Sequence, residues 1–354
     1  MADHFSLNFR FVMTSTDIDP PMDLGYHRHA QVPSIPARTG RTAFARFRSV
    51  MIIVPGKDVP RNLLALGAVL VGGMALAGGA SALQTPPLPD GQDSSVHVGD
   101  IDIGYRVYGT GHPLVMIMGS SSTMELWEPA TVRALASRFK VILFDNRGMG
   151  RTSAGNTEFS IARFADDTAA FMDAIGVDKA HVLGWSLGSM IAQELALRHP
   201  GKVDRLVLYA AHCDASMFPP APEVLRKITD TSGTPEEQGM RYMSVLFSGE
   251  WMRANGQRIR EIFYRPMGNI SGENMGRQAM AIGEWKGTTD RLGSIAAPTL
   301  VLTGADDQLV PPANSRFIAG KIPGATLIVA ENGGHGLMFQ YPELFREKVI
   351  AFLE

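Results

Sequence analysis

Only one cysteine, Cys213, occurs in 354 residues, so no disulfide can form within the chain, and a lone thiol without a cysteine or histidine cluster makes no metal site. Charge of either sign is also scarce as a surplus. Thirty-three Lys and Arg stand against 35 Asp and Glu, and no basic run breaks that balance, which leaves no field to hold nucleic acid or an anionic membrane. Two cofactor signatures are missing as well: there is no G-x-x-x-x-G-K-[ST] for nucleoside triphosphates and no H-E-x-x-H for zinc. Gly148-Met149-Gly150 follows an apolar run but has Ser153 where a dinucleotide loop places its third glycine. What the chain does have is apolar content, 45%, enough for a substantial buried core.

Four stretches precede or divide that core. Positions 1–50 carry scattered Arg, His and Pro with no lasting period and read as an unstructured leader. Lys57 and Arg61 then precede an uncharged stretch, 63–77, which is followed by Ala80-Ser81-Ala82, the small residues that signal peptidase reads. Residues 51–82 are therefore expected to be a signal peptide, with Met51 as the true start and the product secreted or periplasmic. The alternative is an uncleaved anchor over 63–83, the one route to membrane contact. Residues 83–95, rich in Pro, Gly and Ser, read as a linker, and the folded domain is expected over 96–354.

Within 96–354 short apolar runs alternate with helical periods. The runs fall at 101–108, 114–118, 141–144, 180–183, 205–209, 299–303 and 326–330, mostly continuous rather than alternating, as strands covered on both faces are. Ser160 can cap a helix whose stripe is Ile161, Phe164, Thr168, Phe171 and Ile175, and Gly176 ends it. The pattern predicts an α/β fold with a mostly parallel, doubly wound sheet. About 213–292 is too long for a simple crossover and is rich in Met and aromatic residues. It is expected to be a helical cap, either a small packed layer or a lid with an adaptable apolar inner face.

Chemistry concentrates at three places. "GWSLG" puts Ser186 on a corner between an apolar run and a helical period, where a strained turn exposes a serine oxygen and aims a helix N-terminus at developing charge. A hydroxyl needs a base. Of nine histidines, His4, His27 and His29 lie in the leader, His97 and His112 among early strands and turns, and His181 and His199 at the two ends of the elbow unit. His212 follows a strand end and borders the expected pocket. His335 stands in "NGGHG", a glycine loop able to bring an imidazole to the sheet edge. Asp306 and Asp307, after a strand ending at Gly304, offer the carboxylate that would fix the imidazole's tautomer.

With "GWSLG", "GADDQLVP", "GGHG" and "FDNRGMGRTS" in this order, the chain from 96 to 354 resembles the α/β-hydrolase family, in its serine esterase and lipase-like branch with a helical cap. The resemblance implies a Ser186, Asp307, His335 triad in that family's chain order, with Asp307 chosen over Asp306 by the family's G-x-x-D-x-x-V-P spacing. Asp214, after the preceding strand, is where some relatives place the acid. It also implies an oxyanion hole from the backbone N–H groups of Ser120 and Leu187, with Ser121 or Ser122 able to add a hydroxyl. Relatives usually carry His-Gly where this chain has Met118-Gly119. A serine at the elbow argues against the aspartate-based dehalogenases and epoxide hydrolases of this fold. The expected activity is cofactor-free, metal-free hydrolysis of a carboxylic ester of a small hydrophobic acyl substrate, through an acyl-enzyme on Ser186. Lactone, peptide or carbon–carbon hydrolysis and haloperoxidase-like chemistry share the same triad, and a non-catalytic small-molecule binder is the alternative from another class.

Overall fold

The computed structural model describes residues 92–263, 265 and 267–354. The expected leader at 1–50, the signal peptide at 51–82 and most of the linker lie outside the described residues. Among the described residues, no helix is long and apolar enough to cross a membrane.

Eight strands of the described residues form one sheet: β1 (Ser94–Val98), β2 (Ile101–Tyr108), β3 (Pro113–Ile117), β4 (Lys140–Phe144), β5 (Ala180–Trp185), β6 (Val203–Tyr209), β7 (Thr299–Gly304) and β8 (Thr326–Ala330). Their order across the sheet is β1-β2-β4-β3-β5-β6-β7-β8. The last six run parallel, while β1 and β2 add an antiparallel edge. The seven apolar runs are β2 to β8. β1 takes in Ser94 and Ser95, the last residues of the expected linker, because pairing with β2 orders them although only every second side chain of this edge strand is sheltered.

Among the described residues, eleven α-helices pack around the sheet: α1 (Pro129–Ala136), α2 (Ile161–Ala174), α3 (Leu187–Arg198), α4 (Pro222–Thr229), α5 (Pro235–Leu246), α6 (Gly249–Ala254), α7 (Gly256–Phe263), α8 (Gly272–Glu284), α9 (Pro312–Lys321), α10 (Leu337–Gln340) and α11 (Pro342–Leu353). Helix α2 starts where Ser160 accepts the N–H of Arg163 and stops before Gly176, whose φ of 70° suits a residue without a side chain. One apolar cluster joins Phe164, Phe171, Ile191, Leu195 and Ile318 from α2, α3 and α9 to one sheet face. A second joins Leu135, Phe345 and Val349 from α1 and α11 to the other, and also takes in Leu246 and Ile259 from α5 and α7. Helix α3 is more enclosed than a one-sided stripe predicts. Gln193 and Glu194 are buried too, because they reach Thr288 and Arg291 where the chain returns from the helices to the sheet.

Strand order reverses around β3 and β5, which are neighbours in space but leave in opposite directions across the sheet. That switch point opens a crevice at the strands' C-terminal ends. Ile117 pairs with Gly184, so residues following β3 and β5 emerge side by side there.

Candidate active site

Ser186 caps the N-terminus of α3 with φ 54° and ψ −117°, a conformation disfavoured for any residue with a side chain and costing about 1–3 kcal/mol. The flanking glycines explain how so sharp a corner closes. A Cβ on Gly184 would sit 2.2 Å from the Gly188 carbonyl oxygen, and one on Gly188 would sit 2.0 Å from that of Ile117. Backbone therefore touches backbone on both sides of the turn. The Ser186 N–H donates to the Tyr209 carbonyl at 2.9 Å, fixing the corner on β6.

His335 and Asp307 meet as a buried pair, with Nδ1 2.9 Å from Oδ2 and both side chains almost fully sheltered. The second carboxylate oxygen accepts the N–H groups of Leu309 at 3.0 Å and Val310 at 2.8 Å. Three hydrogen bonds thus hold the carboxylate, and with Nδ1 engaged the imidazole has Nε2 left to serve a hydroxyl. Asp306, the adjacent acid, is exposed, and its N–H donates to the Gly333 carbonyl at 2.8 Å. That contact stitches the acid loop to the histidine loop: a Cβ on Gly304 would lie 2.0 Å from the same carbonyl oxygen. Asp214 turns instead on its own loop, accepting from the N–H and hydroxyl of Ser216.

Tyr209 links the Ser186 corner to the histidine. While its carbonyl takes the Ser186 N–H, its buried hydroxyl donates to the His335 carbonyl at 2.7 Å and accepts the Met338 N–H at 3.2 Å. The Trp185 and His335 rings lie 5.8 Å apart between centroids. Residue 186 and the imidazole therefore belong to one packed unit at the C-terminal edge of the sheet.

Beside Ser186 runs the loop after β3. A Cβ on Gly119 would fall 3.5 Å from that of Ser186, so Ser120 emerges next to the corner. Leu187, first residue of α3, has an N–H that the helix cannot satisfy, and among the described residues neither it nor the Ser120 N–H has a hydrogen-bond acceptor. Ser122 Oγ donates to the Ser120 carbonyl at 3.1 Å, so that hydroxyl braces the loop. Where relatives carry histidine before the glycine, Met118 is fully buried, and its carbonyl accepts from Asn146 Nδ2 at 3.0 Å. Asn146 belongs to "FDNRGMGRTS", in which buried Asp145 also accepts the N–H groups of Met124 and Arg151. Burial pushes the Asp145 carboxyl up to about 6.

Two features escaped the sequence reading. Gln278, fully buried on α8, accepts the Ser121 N–H at 2.6 Å and lies 3.2 Å from Ser120 Oγ, bracing Ser121 at φ 52°. The Gly336 N–H donates to the Leu246 carbonyl at 3.0 Å, satisfying an orphan acceptor at the end of α5. A glutamine in an amphipathic helix and a main-chain carbonyl carry no sequence signal. His212 lines a small cavity with Phe218, Leu309 and Val310, behind the acid loop. Burial, with His335 close by adding to it, pulls this imidazole down to about 4, so it is neutral near pH 7.

The profile of a family described as alpha/beta hydrolase fold matches residues 112–232 and 241–342. A protein of Caulobacter sp. (strain K31) named "Putative carbamate hydrolase RutD" is 35% identical over 243 residues, covering 67% of this chain and 87% of its own length. A protein of the same name from Azorhizobium caulinodans is 32% identical over 258 residues, covering 72% and 96%. Among solved structures, Est816, described as an N-acyl homoserine lactone degrading enzyme, aligns with a TM-score of 0.62 at 28% identity, over 73% of this chain and all of its own.

Proposed function

The chain belongs to the alpha/beta hydrolase fold family and is a hydrolase, and on that premise we propose that it cleaves carboxylic esters of small hydrophobic acyl groups through an acyl-enzyme on Ser186. The observation that carries the reading is the buried Asp307–His335 pair, tied through Tyr209 to the corner that bears Ser186. In this reading Ser186 Oγ attacks the carbonyl while His335 Nε2 takes its proton. The same proton then passes to the leaving alkoxide, and water repeats the sequence to free the acid. Asp307 holds the tautomer and stabilises the imidazolium, and the N–H groups of Ser120 and Leu187 receive the oxyanion. Helices α4 to α8 form the proposed cap. Trp185, Tyr242, Met243 and Phe247 are among the apolar residues on that side of the sheet, which disfavours a strongly charged acyl group.

A fluorophosphonate probe and a panel of p-nitrophenyl esters of rising chain length test this on the full chain. We expect one adduct, on Ser186, and turnover greatest for short acyl groups. Ser186→Ala should lower kcat by roughly 10⁵- to 10⁶-fold. Unchanged turnover in that variant ends the proposal. The relatives named carbamate hydrolase favour one second reading, the same acyl transfer on a carbamate, whose carbonyl is less electrophilic because nitrogen donates into it. Comparing kcat/KM on matched ester and carbamate substrates separates the two.

A further inference from the structure

At the opposite end of β5 from Ser186, three side chains converge that the hydrolytic reading leaves unused. His181 Nδ1 lies 3.3 Å and His112 Nε2 lies 3.2 Å from the same oxygen, Asp204 Oδ2. Lys179 Nζ stands 3.4 Å from the other carboxylate oxygen. A ligand atom from each of the three residues lies within 4.8 Å of the others. We propose that His112, His181 and Asp204 form a binding site for a divalent transition metal ion, zinc foremost, remote from the hydrolytic centre.

The spacing fits. Bonds of about 2.0–2.1 Å in a tetrahedron place neighbouring ligand atoms roughly 3.3 Å apart, which both nitrogen-to-oxygen separations match. The contacts are not hydrogen bonds in disguise on the buried side: His181 Nδ1 has no hydrogen-bond partner, although its side chain is only 6% exposed. A buried nitrogen normally has a partner, and here it lies 3.3 Å from the carboxylate oxygen without the alignment of a hydrogen bond. With no hydrogen bond to occupy it, Nδ1 is available to coordinate, as a metal-binding histidine requires.

The backbone prepares this arrangement. Pairing between β5 and β6 shifts register between Ala180 and Val182, so Asp204 and Arg205 together stand opposite His181. Such an irregularity re-aims a side chain. The His112 carbonyl accepts the Lys140 N–H at 3.0 Å, which anchors the third residue on β4. One oxygen of Asp204 then serves Lys179 and the other serves the metal, while the exposed His112 ring turns to complete the set. Two nitrogens and one oxygen, with a position open to water, suit zinc, nickel or copper over calcium or magnesium. About 16 Å of strand separates His181 from Ser186, so the ion clips the starts of β5 and β6 to the entry of β3 and takes no part in hydrolysis.

Dialysed full-length chain, titrated with Zn²⁺ by calorimetry and with Co²⁺ by visible absorption, tests the site. We expect one equivalent whose affinity falls more than the roughly 10- to 100-fold that losing an outer-shell partner costs, in both His112→Ala and Asp204→Asn. His199→Ala, which breaks the half-buried pair with Asp166, keeps that equivalent. Zn²⁺ should raise the melting temperature of the parent and not of His112→Ala, with ester turnover alike in both. Titrations that coincide for the parent and both site variants overturn the proposal, as does a parent that binds no ion.

Discussion

Strand β5 has a histidine and an aspartate at each end, and the two pairs are built to different ends. At its C-terminal end His335 and Asp307 are both buried and share a 2.9 Å hydrogen bond, with the second carboxylate oxygen held by two N–H groups. At its N-terminal end His181 is buried, Asp204 is half-exposed, and their 3.3 Å approach leaves Nδ1 unsatisfied. In the proposed readings the same two residue types thus give a proton carrier in one place and a metal-binding nitrogen in the other. Alignment and partner count, not composition, separate them.

The sharpest break of this comparison comes from amidating each acid in turn. Asp307→Asn should lower kcat on an ester by about 10⁴-fold, because an amide steadies the wrong tautomer. Asp204→Asn and Asp306→Asn should leave kcat within about twofold, since neither acid meets His335. A large loss in either would erase the distinction between the two ends.

A smaller effect is expected at Gln278. Removing a direct oxyanion donor costs about 10²–10³-fold, so a residue that only steadies the donor loop should cost less, near 10-fold in kcat for Gln278→Ala with KM little changed. Gln278→Glu keeps an acceptor for the Ser121 N–H and should recover part of it. Equal losses in KM alone would make Gln278 a packing residue.

The smallest effect concerns acid stability. His212 and His181 are both held down to about 4, against 6.5 for a free imidazole. Between those values the unfolded chain binds protons that the native state refuses, so each histidine makes stability fall as pH drops from 6.5 to 4. Asp145, raised to about 6, works in the other direction over much of that window. Urea midpoints should therefore decline less steeply on acidification in His212→Leu than in the parent. Identical slopes would mean that His212 accepts a proton in the folded state.

The parts of the fold legible in the sequence are those written locally. Continuous apolar runs name β2 to β8, Ser160 and Gly176 bracket α2, and the two glycines around Ser186 announce a corner that no side chain could share. Choosing Asp307 over Asp306 needed the family's spacing, because adjacent acids look alike until one is buried. Illegible were the contacts made across space. Gln278 reaches Ser121 from 157 residues away, and the face that His181 and Asp204 share depends on a register shift that no periodicity encodes. β1 escaped notice because its pairing with β2, not its own apolar content, makes it a strand.

The two bonds that α5 and α8 make to the loops below them, Leu246 to Gly336 and Gln278 to Ser121, carry a lesson for anyone exchanging this layer with another enzyme's. A transplanted layer would inherit the crevice's walls but also the duty of bracing the loops around the serine. A chimera should therefore retain both acceptors, or its altered substrate range would come bundled with a slackened catalytic edge.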